Sequence, residues 1–301
     1  MDYSVQLKGL PRQHDFFVGI DSDGCVFDNM EFKQKECFCP AVITHMQLQA
    51  VSKAAREVWE CVNLYSRSRG CNRFMALERF LRLMRRRPEV SARHVAVPAL
   101  PALSAWLRCE SKLGNPALAA AATATGDPDL ARVLEWSLEI NRRVTAMNHG
   151  ITPFPGVREV LQQLADRADV IVVSQTPLEA LRREWRENRI DDTVALIAGQ
   201  EYGTKTEHLR YAAGGKGYAA DHLLMIGDAP GDYRAAQSNN ALFFPIVPGK
   251  EEESWQELGG EGLGRFFAGT FAGAYQQQLL AAFDRALPEV PEEETASPTT
   301  T

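Results

Sequence analysis

The sequence is short of every signal that would place this chain in a membrane, on nucleic acid or around a structural zinc. No apolar run approaches the ~18 residues that a membrane span needs. The opening stretch, MDYSVQLKGLPRQHDFF, has no basic segment followed by an apolar one, so no signal peptide is expected. Positive charge is in deficit: 33 Lys and Arg against 39 Asp and Glu give a net charge of −6. Such a chain repels nucleic acid and anionic membranes, and leaves small anionic substrates to any local basic patch. Cysteine is sparse, and the six residues Cys25, Cys37, Cys39, Cys61, Cys71 and Cys109 all precede residue 110. Cys37-Phe38-Cys39 lacks the paired spacing of a zinc site, and nothing indicates an oxidising compartment. Reduced, buried thiols and a cytoplasmic location are the expectation. Internal repeats are absent. Gly214-Gly215-Lys216-Gly217 is not a P-loop, because no Ser or Thr follows the lysine.

What remains is an ordinary globular composition over 301 residues, 45% hydrophobic and 24% charged, enough for one large domain or two smaller ones. Phe16-Phe17-Val18-Gly19-Ile20 is a continuous apolar run ending in Asp21, which predicts a buried central strand. From 29 to 150 no strand is expected. Pro40 can open a long helix carrying Ile43, Val51, Ala55, Val58, Val62 and Tyr65. Further helices follow near 72–86, 102–113, 116–125 and 128–147, making an all-helical insert. After 151 strands alternate with helices. Strands are predicted at 169–174, 193–198, 222–227 and 241–247, with helices at 157–167, 177–188, 205–213 and 230–238. That alternation predicts an α/β fold with a Rossmann-like, three-layer parallel sheet core formed by 1–28 and 151–287. Terminal helices are predicted at 251–258 and 265–287, and residues 288–301 read as a disordered tail.

Four signals fall at predicted strand ends, where sites of such sheets lie. They are Asp21-Ser22-Asp23-Gly24, Ser174-Gln175-Thr176-Pro177, Lys205, and Gly227-Asp228-Ala229-Pro230-Gly231-Asp232. Taken singly each is weak. An Asp-rich turn can begin a calcium loop, but Cys25 and Val26 stand where an EF-hand needs Asp/Asn and Gly. Together they suit the hydrolysis of a phosphomonoester. A carboxylate can attack phosphorus and divide one hard step into two. Mg²⁺ can offset the repulsion of two anions, with Asp21 and Asp228 as ligands and Asp232 as a further one. Asp23 can serve as general acid and base, provided that its pKa rises. Gly24 lets backbone N–H groups approach the phosphoryl oxygens, Ser174 and its neighbour Gln175 offer polar groups, and Lys205 offers a point charge. Lys216 competes with Lys205 but lies in a glycine-rich turn. The Arg79, Arg82, Arg85, Arg86, Arg87 cluster reads as a solvated helix face, and His45 and Trp59 as core or surface residues.

FVGIDSDGCVFD, VIVVSQTP, Lys205 and LLMIGDAPGDYRAA resemble the haloacid dehalogenase superfamily, in its phosphatase branch with a helical cap after the first motif, as in phosphoglycolate phosphatases. The resemblance implies that Asp21 is the nucleophile and Asp23 the acid/base, whose main-chain carbonyl also reaches the metal. It implies that Ser174 and Lys205 hold the phosphate, that Asp228 and Asp232 hold Mg²⁺, and that the insert at 29–150 is an enlarged cap. Asp23 favours phosphate esters over carbon–halogen or phosphonate bonds. The expected partner is a small phosphorylated metabolite, with no nucleic acid and no membrane, for a monomer or homodimer. A phosphomutase and a non-catalytic binding protein are the alternative readings.

Overall fold

The structure is a computed structural model that describes residues 3–289; the predicted tail lies, from residue 290 on, outside them. The described residues divide into two compact units, 3–37 with 141–287, and 38–140 with 288–289. The division falls inside two helical runs, 30–45 and Pro128–Met147, a few residues inward of the boundaries inferred near 28 and 151.

In the first unit five parallel strands form one sheet: β1 (Phe16–Ile20), β2 (Ala168–Val173), β3 (Leu196–Ala198), β4 (Leu223–Gly227) and β5 (Leu242–Pro245), in the order β3-β2-β1-β4-β5. β1 is central. Its residues Phe16–Ile20 align with Ala168–Val172 of β2, and Phe17–Ile20 with Leu223–Ile226 of β4. All six residues of β2 are buried, as expected for strands whose two faces are both covered. The helix Lys205–Ala213 packs so closely that a Cβ on Gly19 would lie 2.6 Å from Leu209 Cδ2. The chain enters β1 first, adds β2 and β3 on one side, then crosses to add β4 and β5 on the other. That reversal opens a crevice at the carboxyl ends of β1 and β4. No helix among the described residues is long and apolar enough to cross a membrane.

Three predicted elements are corrected. The helix expected to open at Pro40 begins instead at Met30–Phe32 and runs through a π-helical turn, Lys33–Phe38, into Cys39–His45. The wide turn tolerates the N–H that Pro40 lacks. The helix then stops, because Gln47 turns left-handed (φ 57°) while Met46 and Leu48 are buried. β3 keeps only Leu196–Ala198, since Asp191–Thr193 forms a 3₁₀ turn. The final helix is two, Leu263–Phe267 and Ala274–Ala286, with the buried Phe271 set between them.

The regular elements of the second unit are, among its described residues, all helices, packed around an aromatic core. Trp59 is fully buried and meets Phe80 and Trp136 edge-on at 5.2 and 6.2 Å. Its reading as a core residue holds. His45 Nε2 lies 2.6 Å from Glu139. In the arginine cluster, Arg87 pairs with Glu57 and Glu89, and Arg85 donates to the Pro98 carbonyl. The thiols form no disulfide; Cys25, Cys37 and Cys39 are buried as expected, but Cys61 and Cys71 are half-buried and Cys109, at the end of the helix Pro101–Cys109, is exposed.

Candidate active site

The hydrogen-bonding of β1 carries one residue past the strand: Asp21 N–H donates to the Ile226 carbonyl of β4 at 2.9 Å. The chain then doubles back, with Val26 and Phe27 N–H both donating to the Ser22 carbonyl. Gly24 adopts φ 74°, a left-handed conformation that suits glycine. Its own N–H is consumed inside the turn by the Phe27 carbonyl (3.0 Å) and Asn29 Oδ1 (3.2 Å). Gly24 therefore shapes the turn, with its own N–H held inside it.

Asp228 leaves β4, and Asp232 lies in the first turn of the helix Pro230–Ser238. Asp232 Oδ2 accepts from the Ala229 N–H at 3.0 Å, which fixes the carboxylate against the strand end. Gly227 is required here: a Cβ would fall 2.4 Å from Asp232 Cβ. Asp21, Asp228 and Asp232, at most 4% exposed, each bring a carboxylate oxygen to within 4.8 Å of the others. Three hard oxygen donors converging in this way fit a divalent cation such as Mg²⁺ or Ca²⁺ far better than a soft metal.

Lys205 supplies the cluster with a counter-charge. Lys205 Nζ lies 2.7 Å from Asp21 Oδ2 and 2.6 Å from Asp232 Oδ1. Burial opposes its charge, but the two carboxylates outweigh burial and raise its pKa. Burial, then the Asp232 charge, push Asp21 up to about 7. Burial and Asp228 likewise raise Asp232. Lys216 takes no part: its Nζ caps the carbonyls of Leu7 and Leu10.

Two residues on from Asp21 the electrostatics reverse. Burial would raise Asp23 as well, but Lys33 Nζ at 2.7 Å, Thr176 Oγ at 2.8 Å and Asn29 Nδ2 at 2.8 Å together hold its pKa below the ordinary value. The expected upward shift is thus corrected, because three donors favour the charged form. With its side chain so engaged, Asp23 is not among the clustered carboxylates.

Ser174 is 2% exposed at the end of β2; its Oγ accepts from the Thr176 N–H. The Gln175 amide donates to the carbonyls of Ser174 and Gly203, steadying the loop before Lys205.

Lys33, Asn29, Thr176, Glu184 and Asn148 were missed by sequence reasoning. Asn29 Nδ2 bridges Asp23 and Glu184 Oε1 (3.0 Å), and Asn148 Nδ2 donates to the same Glu184 oxygen (3.2 Å). Burial and the Asp23 charge raise the pKa of Glu184. The only available signal was a glutamate on the apolar side of the helix Leu178–Glu187, beside Leu181 and Trp185. Glu184→Gln keeps an acceptor for both amides and should change stability by less than about 1 kcal/mol, whereas Glu184→Ala strands them and should cost about 2–4 kcal/mol. Thermal unfolding of both variants measures this; equal losses would show that the carboxyl group is not the acceptor that matters.

A family model described as haloacid dehalogenase-like hydrolase matches residues 112–245, which contain Ser174, Lys205, Asp228 and Asp232. That segment of the chain is similar to the haloacid dehalogenase-like hydrolases. The Asp21 turn precedes the matched segment, and the sheet brings it to the same edge. Among solved structures, the chain is similar to a protein assigned as a phosphoglycolate phosphatase from Lactobacillus delbrueckii subsp. bulgaricus (16% identity, 82% of this chain and 92% of that one, TM-score 0.50). It is also similar to a haloacid dehalogenase-like family hydrolase from Streptococcus pneumoniae (12%, 80% and 90%, TM-score 0.44). A third is a family hydrolase from Deinococcus radiodurans with bound phosphate and sodium (15%, 78% and 82%, TM-score 0.43). The first of these likenesses speaks for the fold alone. No curated protein matches the chain.

Proposed function

We propose that this protein cleaves a small phosphomonoester through a phosphoryl-aspartate at Asp21. The observation that carries the reading is the pairing at one strand end of a buried carboxylate, an ammonium 2.7 Å from it, and two further carboxylates able to share a cation with it. When bound, Mg²⁺ neutralises the repulsion between the Asp21 carboxylate and the phosphoryl dianion. Asp21 Oδ forms a bond to phosphorus as the ester P–O bond breaks, and the electron pair leaves with the ester oxygen, which takes the proton carried by Asp23. Water then attacks phosphorus and gives a proton to Asp23, and the Asp21–phosphorus bond breaks to release inorganic phosphate. Lys205 and the Ser174 hydroxyl hold phosphoryl oxygens.

Asp23 stands ready as the base for the second step. An approaching dianion raises its proton affinity, as any nearby like charge does, which equips it for the first. The purified protein should release phosphate from an aryl phosphate with Mg²⁺ present, and chelation should reduce the rate at least about 100-fold. Release at an unchanged rate in excess chelator would exclude the reading.

A further inference from the structure

Asp21 and Asp23 face different partners from one turn, so the peptide units between them must keep a fixed orientation. Ser22 is the link, and it is fully buried. Its carbonyl accepts from inside the turn, taking the N–H groups of Cys25 (3.4 Å), Val26 (2.9 Å) and Phe27 (3.1 Å). Its side chain is held from outside: Trp185 Nε1–H donates to Ser22 Oγ at 3.0 Å. The Trp185 indole is itself fully buried and meets the Phe27 ring edge-on at 5.9 Å, so it touches both ends of the turn.

The residue before it on the helix Leu178–Glu187 acts on the same turn. Glu184 accepts from Asn29 Nδ2, which also donates to Asp23, while Asn29 Oδ1 accepts from the Gly24 N–H. Trp255, fully buried as well, holds the returning limb, with Nε1–H donating to the Cys25 carbonyl at 2.8 Å. An indole offers a single N–H on a large ring locked by packing, so the core sets the direction of its hydrogen bond. An error of about 1 Å in a reacting group can cost about 100-fold in rate. We infer, resting on the phosphatase reading, that Trp185 is a positioning residue for the reaction. Through Ser22 it fixes the separation and aim of Asp21 and Asp23 without touching the substrate. A tryptophan that only fills the core would alter melting and leave the turnover of folded protein alone.

The experiment measures kcat and KM for an aryl phosphate with Mg²⁺ in wild type, Trp185→Phe, Ser22→Ala and the double variant, well below their melting temperatures. Each single variant should lose about 10- to 100-fold in kcat with KM within about threefold, because the geometry of attack changes and the grip of Lys205 on phosphate does not. The double variant should be no slower than the slower single one, since both substitutions remove the same hydrogen bond. Trp136→Phe is the control for stability. Trp136 is fully buried in the second unit, and its Nε1 has no hydrogen-bond partner among the described residues. That variant should melt earlier and keep kcat within about twofold. Wild-type kcat in folded Trp185→Phe or Ser22→Ala would overturn the inference. So would single losses that multiply in the double variant, or a loss in Trp136→Phe as large as in Trp185→Phe. Should Trp185→Phe fail to fold, benzothienylalanine at position 185, with sulfur where the indole has N–H, gives the same comparison.

If wild type releases no phosphate from the aryl ester, it is the phosphatase reading that fails. Calorimetric titration with Mg²⁺ then tests Trp185 by itself, because Asp21 is one of the three gathered carboxylates. Binding about 10-fold weaker in Trp185→Phe supports its positioning of Asp21. Equal binding, or none in either protein, overturns it.

Discussion

Asp21→Asn is expected to abolish Mg²⁺-dependent phosphate release, by at least about 10⁴-fold, while the fold survives with unchanged or increased thermal stability. The loss follows from the role: an amide cannot attack phosphorus and leave again as a carboxylate does. The stability follows from the surroundings. Asp21 is 4% exposed and shares its pocket with Asp228 and Asp232, so burial and like charge push its pKa to about 7 from an ordinary 3.8. A group whose folded-state pKa is raised binds protons more tightly in the native state, so its contribution to stability falls as pH rises from about 4 to 7. Asp23 acts in the opposite sense, with stability present above its unfolded pKa and lost in more acidic solution. Without divalent cation, wild type should therefore lose stability between about pH 4 and 7, and the Asn variant should lose that part of the slope. Thermal unfolding across pH reads one half of this and a phosphate assay the other. A variant that keeps wild-type turnover removes Asp21 as nucleophile, and one that melts far earlier at pH 7 removes the account of like-charge crowding.

Lys205→Met should be strongly destabilising. It withdraws the counter-charge lying 2.7 Å from Asp21 and 2.6 Å from Asp232, and leaves three buried carboxylates facing one another. Removing one partner of a buried ion pair costs about 3–5 kcal/mol, here on the order of 10 °C in melting temperature. Protonation relieves the repulsion, so the deficit should shrink toward pH 5. Mg²⁺ should raise the melting temperature of the variant by more than it raises that of wild type, because the cation replaces the missing charge. A variant as stable as wild type at pH 8 without divalent cation would mean that the ammonium is not what holds the carboxylates together.

The parts of this site legible in the sequence are those written into short, local patterns. β1 announces itself as five apolar residues before Asp21, because a strand covered on both faces must be apolar throughout. Asp228 and Asp232 share one turn of chain, and Gly227 marks the close approach that admits Asp232. The parts that were illegible depend on partners far away in sequence. Glu184 meets Asn29 across 155 positions and Thr176 meets Asp23 across 153, and no spacing rule encodes such a pair. Gln175 and Gly24 have the right composition for holding phosphate, and only the fold shows the Gln175 amide on the Ser174 and Gly203 carbonyls and the Gly24 N–H on Phe27 and Asn29. Helix ends were misjudged wherever a buried side chain, Leu48 or Phe271, settled the turn in place of a local stop signal.

By itself the sequence determined which acidic residues stand at the strand ends, and with them the sheet, the crevice and a carboxylate pair two residues apart. The tertiary structure alone decided what each member of that pair is. It set Lys205 between Asp21 and Asp232 in a crowd of buried carboxylates, and Lys33 with two neutral donors on Asp23. The pKa of Asp21 is raised and that of Asp23 lowered, although both are aspartates in one turn. Proton affinity depends on burial and on charges a few ångströms away in space, and neither quantity is a property of neighbours along the chain.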